Sequence, residues 1–446
     1  MSDDPRDDVV THQYQRWRFA SAATPECMDI ATSAGLVFQG WFFNAPYHAH
    51  ELTSAPNALY PAVNALPDAK HRSVMERIQP SNACHFFMAC RPDRPKEGYA
   101  VDFSTDDSLD YVPLMRMRCG LSGNEIFRSD WRMRLNAAQL PFVQYVDGRR
   151  TIREIAECVA LASRAPLDLR VNALKAERET ACDALAHLGP APTRWSPVGL
   201  RLVLDADAKS PAIHAEPAFI KGVVEVQDEG SQLAALLCGA KAGQQVIDIC
   251  AGAGGKTLAL AAMMENRGQI YATDSDKRRL APIHERLERA GVHNVQVRTP
   301  RAQENLLADL ERRADLVLID APCTGIGTWR RNPDAKWRMR PGALALRVEE
   351  QAELLDRAAA LVKPGGRIAY VTCSLLAEEN GDQVRAFLAR REDFAIVPPA
   401  EVTSALEERA HVFRRAALVS EDGVLMTPHR TDTDGFYVAV LIRAGH

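Results

Sequence analysis

In the second half of the chain, short apolar runs alternate with amphipathic stretches. This is the pattern of buried strands joined by helices. Strands are predicted at 245–249, 268–274, 295–297, 315–320 and 366–373, with a late strand at 435–442. Helices are predicted at 256–264, 278–290, 343–361 and 378–390, and another ends near Cys238. Strands and helices alternating at this spacing predict an α/β, doubly wound, Rossmann-like domain over 221–446. Just upstream, 167–172 alternates with period two, 176–188 reads as a helix stopped by Gly189-Pro190, and 200–204 reads as another strand. This module at 164–220 is too short for a large core of its own and is expected to pack on the domain that follows. Residues 1–163 differ: they are rich in His, Trp and Met and carry no Gly-x-Gly fingerprint. Within them 128–162 reads as helical with a turn at 146–149, a winged-helix-like unit in an atypical α+β region.

A length of 446 residues exceeds one ordinary domain, in line with these divisions. The net charge of -4 means that any nucleic-acid surface must be local. Ten cysteines include no Cys-x-x-Cys pair and no Cys/His group with zinc spacing, so no metal is expected. Most read as reduced, buried thiols. The start Met1-Ser2-Asp3-Asp4-Pro5 is acidic and polar, unlike a secretory signal. No apolar run approaches the roughly 18 residues of a membrane span. These features are those expected of a cytoplasmic protein that needs no membrane.

Candidate chemistry gathers at the strand ends. A glycine-rich turn, Cys250-Ala251-Gly252-Ala253-Gly254-Gly255-Lys256, follows one strand and opens a helix, the context of a cofactor loop. Gly255-Lys256-Thr257 also mimics the end of a nucleotide-hydrolase P-loop, but Cys250 stands where such a loop needs glycine. Asp274 ends the next strand, where an acid bonds the ribose of an adenosine-containing cofactor; a cap of the following helix is the structural alternative. Asp320 and Cys323 follow one buried run, and Cys373 follows another. A lone strand-end cysteine is more often an inert core thiol. Two after strands of one sheet point to covalent chemistry on a base. A thiolate adding to carbon 6 of cytosine makes carbon 5 nucleophilic enough to accept a methyl group, and a second base then removes the carbon-5 proton. The stretch 329–340 carries Arg330, Arg331, Lys336, Trp337 and Arg338 directly after Cys323. Basic residues neutralise phosphates and aromatics stack on unpaired bases. A solvated loop is the alternative.

Residues 164–446 resemble the RNA cytosine-5 methyltransferases of the NOL/NOP/Sun type, and among them the bacterial enzymes acting on small-subunit ribosomal RNA. The likeness rests on 165–172, Gln227-Asp228-Glu229-Gly230-Ser231-Gln232, the glycine turn, 320–337, Thr372-Cys373-Ser374 and 434–439. It implies a class I methyltransferase domain that binds S-adenosyl-L-methionine through 250–256, Asp274 and Asp320. It implies a small RNA-recognition-like module at 164–220 and an RNA partner, ribosomal by similarity. It also implies Cys373 as the nucleophile, Cys323 as the residue assisting elimination, and Asp320 between cofactor and base. Two departures stand out: Gly252-Ala253 replaces the usual Ala-Pro, and Arg298-Thr299 stands where an acid is usual near the adenine. The helical RNA-binding domain that often begins such chains is not visible in 1–163. There, 34–41 and 142–151 resemble the tail of a different class I methyltransferase, so this region is expected to be a remnant of one. A non-catalytic RNA-binding protein and a P-loop hydrolase are the other functional readings.

Overall fold

The computed structural model describes residues 24–41, short segments between 62 and 75, 87–90, 106–115, 119–128, 131–137, 139–204, 208–300 and 306–445. The chain divides into Met1–Leu109 and Asp110–His446. In the first unit a helix, Thr24–Ser33, precedes an antiparallel pair of Val37–Trp41 with Phe87–Cys90.

The second unit opens with three short antiparallel strands between Gly120 and Arg134. Helix is therefore not continuous from 128. Trp131–Arg134 is a strand because its backbone pairs antiparallel with Glu125–Arg128. Asp147 then accepts the backbone N–H groups of Arg149 and Arg150 at 2.9 Å, forming the expected turn. Helix α1 (Ile152–Ala162) begins at Thr151 in a capping box with Glu154. Glu157 on α1 accepts from Thr427 Oγ1 and from the His429 N–H, tying the helix to the last part of the chain.

The small module is an antiparallel sheet whose central strand β1 (Leu167–Val171) lies between β2 (Gly199–Leu202) and β3 (Val224–Val226). Helix α2 (Arg178–Ala184) covers it, and Leu169, Val171, Ala181, Leu185, Leu200 and Phe219 form its core. That core is small, and the module is held to the next domain by polar bonds. Arg201 binds Asp168 through Nε and Nη2 at 2.7 and 2.9 Å and reaches Asp432 at 2.5 Å. Glu229 accepts the N–H groups of Trp195 and Ser196 at 2.6 and 2.8 Å.

The large domain follows helix α3 (Glu229–Leu237). In chain order it contains β4 (Gln245–Asp248), α4 (Gly255–Met263), β5 (Gln269–Ala272), α5 (Ile283–Ala290), β6 (Val295–Val297), β7 (Ala314–Asp320), α6 (Ala343–Leu361), β8 (Val362–Thr372), α7 (Gly381–Arg390), β9 (Phe394–Ile396), β10 (Val424–Met426) and β11 (Phe436–Arg443). The sheet runs β6-β5-β4-β7-β8-β11-β10, ending in Leu418–Val419. Strands β4 to β8 are mutually parallel; β11 enters antiparallel, with Tyr370 opposite Ala439. The sheet is therefore mixed rather than wholly parallel.

Strand alternation builds the two cores. Val246, Ile270, Leu316, Leu318, Ala369 and Val371 face α3, α4 and the helices of 399–416. Ile247, Val317, Ile319, Ile368 and Tyr370 face α6 and α7. Because both faces are covered, the strands read as continuous apolar runs. The register places Asp248 beside Leu318 and Asp320 beside Val371. Every strand that contributes to the site therefore ends at one edge, on either side of the point where the strand order reverses.

Candidate active site

The turn after β4 is anchored from below. Asp248 is buried and accepts Thr257 Oγ1 at 2.7 Å and the Cys250 N–H at 3.3 Å. Burial pushes its carboxyl up to about 7. Gly252 and Gly254 have φ of +50° and +84°, where a side chain would be strained. A Cβ on Gly254 would also lie 2.5 Å from Ile283 Cγ1. The glycines thus let the backbone turn sharply onto α4 and approach a ligand. Cys250 lies in the turn with its thiol pushed well above the ordinary range by burial and by Asp248, Asp320 and Asp274.

Asp274 is buried and accepts the Gly252 N–H at 2.9 Å and the Asp276 N–H at 3.0 Å. The helix cap is Asp276, which accepts the Arg278 N–H at 2.8 Å, so the capping role proposed for Asp274 belongs to its neighbour. Lys256 points across the edge and bonds Asp320 Oδ2 at 2.7 Å, with its ammonium 4.9 Å from the centre of the Phe436 ring. Burial opposes the lysine's charge, but Asp320 outweighs it, and its pKa lies above the usual lysine value. Arg298, at the place of the sequence departure, is committed elsewhere. It binds Asp309 at 2.5 and 2.8 Å and lies over the Tyr271 ring.

Cys323 and Cys373 meet, their sulfurs 3.3 Å apart. The bond from Cys373 holds the Cys323 thiol below its usual range against burial. The same bond, with burial and then Asp320, pushes Cys373 well above it, while Lys256 pulls it back. The pair therefore gives up one proton readily and the second with difficulty.

Several residues not singled out in the sequence hold the two thiols in place. Glu379 is buried and accepts the Thr324 N–H at 2.8 Å and Gln351 Nε2 at 3.1 Å. Gln351 also donates to the Pro322 carbonyl at 2.9 Å. Asn380 donates to the Ser374 carbonyl at 3.0 Å and accepts Thr372 Oγ1 at 2.5 Å. Gly327 donates to the Cys373 carbonyl at 3.0 Å. Adjacent Glu379-Asn380 thus supports both cysteine loops. The only sequence signal was a polar pair just after a strand-end cysteine.

The basic stretch divides. Arg330 is 7% exposed; its Nε binds Asp434 at 2.8 Å. Arg331 binds Asp434 at 2.8 Å and Asp228 at 3.0 Å. Burial and Asp434 push Asp228 up to about 7. This corrects the reading of Arg330 and Arg331 as phosphate contacts: the carboxylates that engage them are remote in sequence. Replacing Arg330 with alanine should leave Asp434 buried and under-paired, and should destabilise the fold by about 3–5 kcal/mol. Chemical denaturation measures this directly. Lys336, Trp337 and Arg338 stay at the surface; Trp337 is 81% exposed, and among the described residues Arg338 pairs with exposed Asp334. A cleft of about 580 Å³ opens there, lined by Cys323, Thr324, Arg338, Met339, Arg340, Leu346 and Arg347 among others.

A glycine turn, an acid after the second strand of the parallel series and a mixed sheet with an antiparallel strand beside β8 give the Rossmann-like fold shared with S-adenosyl-L-methionine-dependent methyltransferases. Residues 235–442 match the family model of the 16S rRNA methyltransferase RsmB/F. The "Probable ribosomal RNA small subunit methyltransferase B" of Synechocystis sp. is 34% identical over 290 residues, 64% of this chain and 62% of that protein. Ribosomal RNA small subunit methyltransferase B of Salmonella typhi is 33% identical over 282 residues, 63% of this chain and 60% of that protein. The chain thus spans about three fifths of the length of these curated relatives. The crystal structure of a methyltransferase homolog protein from Pyrococcus horikoshii is 28% identical, with a TM-score of 0.53 over 65% of this chain and 90% of that one. Among the described residues no group of His, Cys, Asp and Glu is placed to hold a metal ion, and no helix is long and apolar enough to cross a membrane.

Proposed function

We propose that the chain transfers a methyl group from S-adenosyl-L-methionine to carbon 5 of a cytosine in RNA, through a covalent adduct with Cys373. The single observation that carries this reading is the pair of facing thiols at 3.3 Å, beside Asp320 and Lys256 at the mouth of the glycine turn. A P-loop hydrolase has no use for such a pair, and a scaffold has no use for its elaborate support.

The glycine turn and the N-terminus of α4 offer backbone donors to the cofactor, and Asp274 its carboxylate to the ribose. When bound, S-adenosyl-L-methionine supplies an electrophilic methyl group on a sulfonium. Cys323, as the thiolate of the pair, takes the Cys373 proton while the Cys373 sulfur bonds carbon 6 and the displaced electron pair makes carbon 5 nucleophilic. Asp320, fixed by Lys256, lies between turn and thiols, where it can orient the base. Cys323 borders the open cleft and returns its proton to solvent. It can then take the carbon-5 proton from the methylated base, as the carbon 6–sulfur bond breaks and Cys373 leaves as thiolate. The pair ends with the one proton it began with.

The target base must leave its stack, at about a few kcal/mol, which favours exposed Trp337 as a stacking platform with Lys336 and Arg338 on the phosphates. Trp337→Ala should weaken RNA binding by about 1–3 kcal/mol without changing the melting temperature; equal affinity in a filter-binding titration would remove Trp337 from the contact set. The matched family model and the relatives' names support ribosomal RNA of the small subunit as substrate, and the cytoplasm is proposed as the place of action. The division into 1–163, 164–220 and 221–446, with the first part a remnant of another methyltransferase, is proposed on the same footing. Incubating the protein with methyl-labelled cofactor and unmodified RNA, then digesting to nucleosides, tests the reaction. Label in 5-methylcytidine is expected; label in another nucleoside, or none, refutes it.

A further inference from the structure

The glycine turn is gripped from outside by two side chains. Asp274 takes the Gly252 N–H on one side. On the other, Arg286 of α5 donates Nη1–H to the carbonyl of Ala253 at 2.8 Å. Ala253 stands between the two positive-φ glycines, where the backbone has the least stiffness of its own. Arg286 is itself immobilised: its Nη2 pairs with Glu225 Oε2 at 3.0 Å. Glu225 lies on β3 of the small module, with its side chain only 3% exposed, and also holds Arg289, whose guanidinium sits 4.0 Å from the centre of the Phe219 ring. The turn closes without this help, through the Gly254 N–H to the Ala251 carbonyl at 2.8 Å, and α4 starts with the Leu258 N–H to the Gly254 carbonyl at 2.9 Å. What Arg286 adds is a fixed direction for the peptide in the middle of the turn.

We propose that Arg286, held by Glu225 of the small module, is a positioning residue for S-adenosyl-L-methionine: it fixes the Ala253 carbonyl and so pre-orders the two-glycine turn that receives the cofactor. This rests on the cofactor reading above. A turn with two glycines loses more freedom when a ligand orders it than a stiffer one, and a clamp in place beforehand removes that cost from binding. The same gain is available by a different route. Ala253 is not a positive-φ residue, and its N–H makes no backbone hydrogen bond among the described residues. Proline at 253 would therefore stiffen the turn without costing it such a bond.

The test is calorimetric titration of S-adenosyl-L-methionine into the full chain, comparing wild type, Arg286→Gln and Arg286→Gln with Ala253→Pro. Methyl transfer is followed in parallel. Arg286→Gln should bind the cofactor roughly tenfold more weakly. It should keep its kcat at saturating cofactor and its KM for RNA. Adding Ala253→Pro should recover most of the lost affinity, which a general weakening of the fold would not allow. Affinity of Arg286→Gln within twofold of wild type overturns the clamp. So does a loss that proline leaves uncorrected. A wild type that binds no S-adenosyl-L-methionine instead refutes the cofactor reading, and is told apart because it fails before any variant is compared.

Discussion

Cys373→Ala is expected to lower methyl transfer at least about 10⁴-fold, the scale on which loss of a catalytic nucleophile is felt, while leaving cofactor affinity unchanged. The argument is geometric. The Cys373 sulfur lies beside Cys323, and Cys373 directly follows β8. The glycine turn and Asp274 belong to β4 and β5 and do not bond it. Alanine removes the atom that would bond carbon 6 and touches no donor of the cofactor turn. Its loop remains supported through backbone carbonyls, by Gly327 to Cys373 and by Asn380 to Ser374, neither of which needs the thiol. The measurement is a single-turnover methylation assay beside a cofactor titration. Turnover near the wild-type rate would exclude Cys373 as the nucleophile.

The second large effect is opposite in kind. Cys323→Ala should convert turnover into accumulation of a covalent protein–RNA species, visible as a slow band in a denaturing gel run with RNA and cofactor. With Cys323 gone, Cys373 loses the bond that keeps its proton in place. Its thiol should then fall back from the raised position toward the ordinary range, because that bond is the first cause of the elevation. Attack on carbon 6 therefore remains possible. Removal of the carbon-5 proton does not, if Cys323 is its acceptor, and the carbon 6–sulfur bond cannot break without it. A Cys323→Ala protein that forms no slow band would show that another group removes the proton, or that attack itself needs Cys323. Measuring the residual rate separates those two failures.

Much of this arrangement could be read in the sequence because it is local. The cofactor turn is a run of adjacent residues between a strand and a helix, and each cysteine directly follows a buried apolar run. Those runs predicted the strands, and the placing of both cysteines after strands of one sheet pointed to a shared chemistry. What escaped is non-local. Arg330 and Arg331 look like free basic residues until Asp434 and Asp228 arrive from about a hundred residues away in either direction. Glu379 and Gln351 are ordinary polar letters within helical stretches, and only tertiary packing turns them onto the Pro322–Thr324 backbone. The short strands β9 and β10 hold three residues each, too few for a period to show. Strand β8 begins at Val362, before Pro364 and two glycines that mark a break in sequence but are carried by a register shift against β7. The strand at Trp131–Arg134 was hidden because Arg at alternate positions reads equally well as an exposed helix face.

The glycine turn shows the same limit in another form. Its departure from the family pattern at Gly252-Ala253 predicts a looser loop. The structure supplies an external hold through Arg286 and Glu225, which lie 33 residues after and 28 residues before Ala253. A local reading of the turn cannot see it.

The central claim is that Cys373, and not Cys323, bonds the base. RNA carrying 5-fluorocytidine offers the most direct test, because fluorine at carbon 5 leaves no proton for any base to remove and the adduct cannot resolve. The wild-type protein would be incubated with this RNA and S-adenosyl-L-methionine, digested with protease and nuclease, and its peptides sequenced by mass spectrometry. The account predicts one nucleotide-bearing peptide, modified at Cys373 and carrying the transferred methyl group. Modification at Cys323, or no adduct from a protein shown to bind both RNA and cofactor, would contradict it.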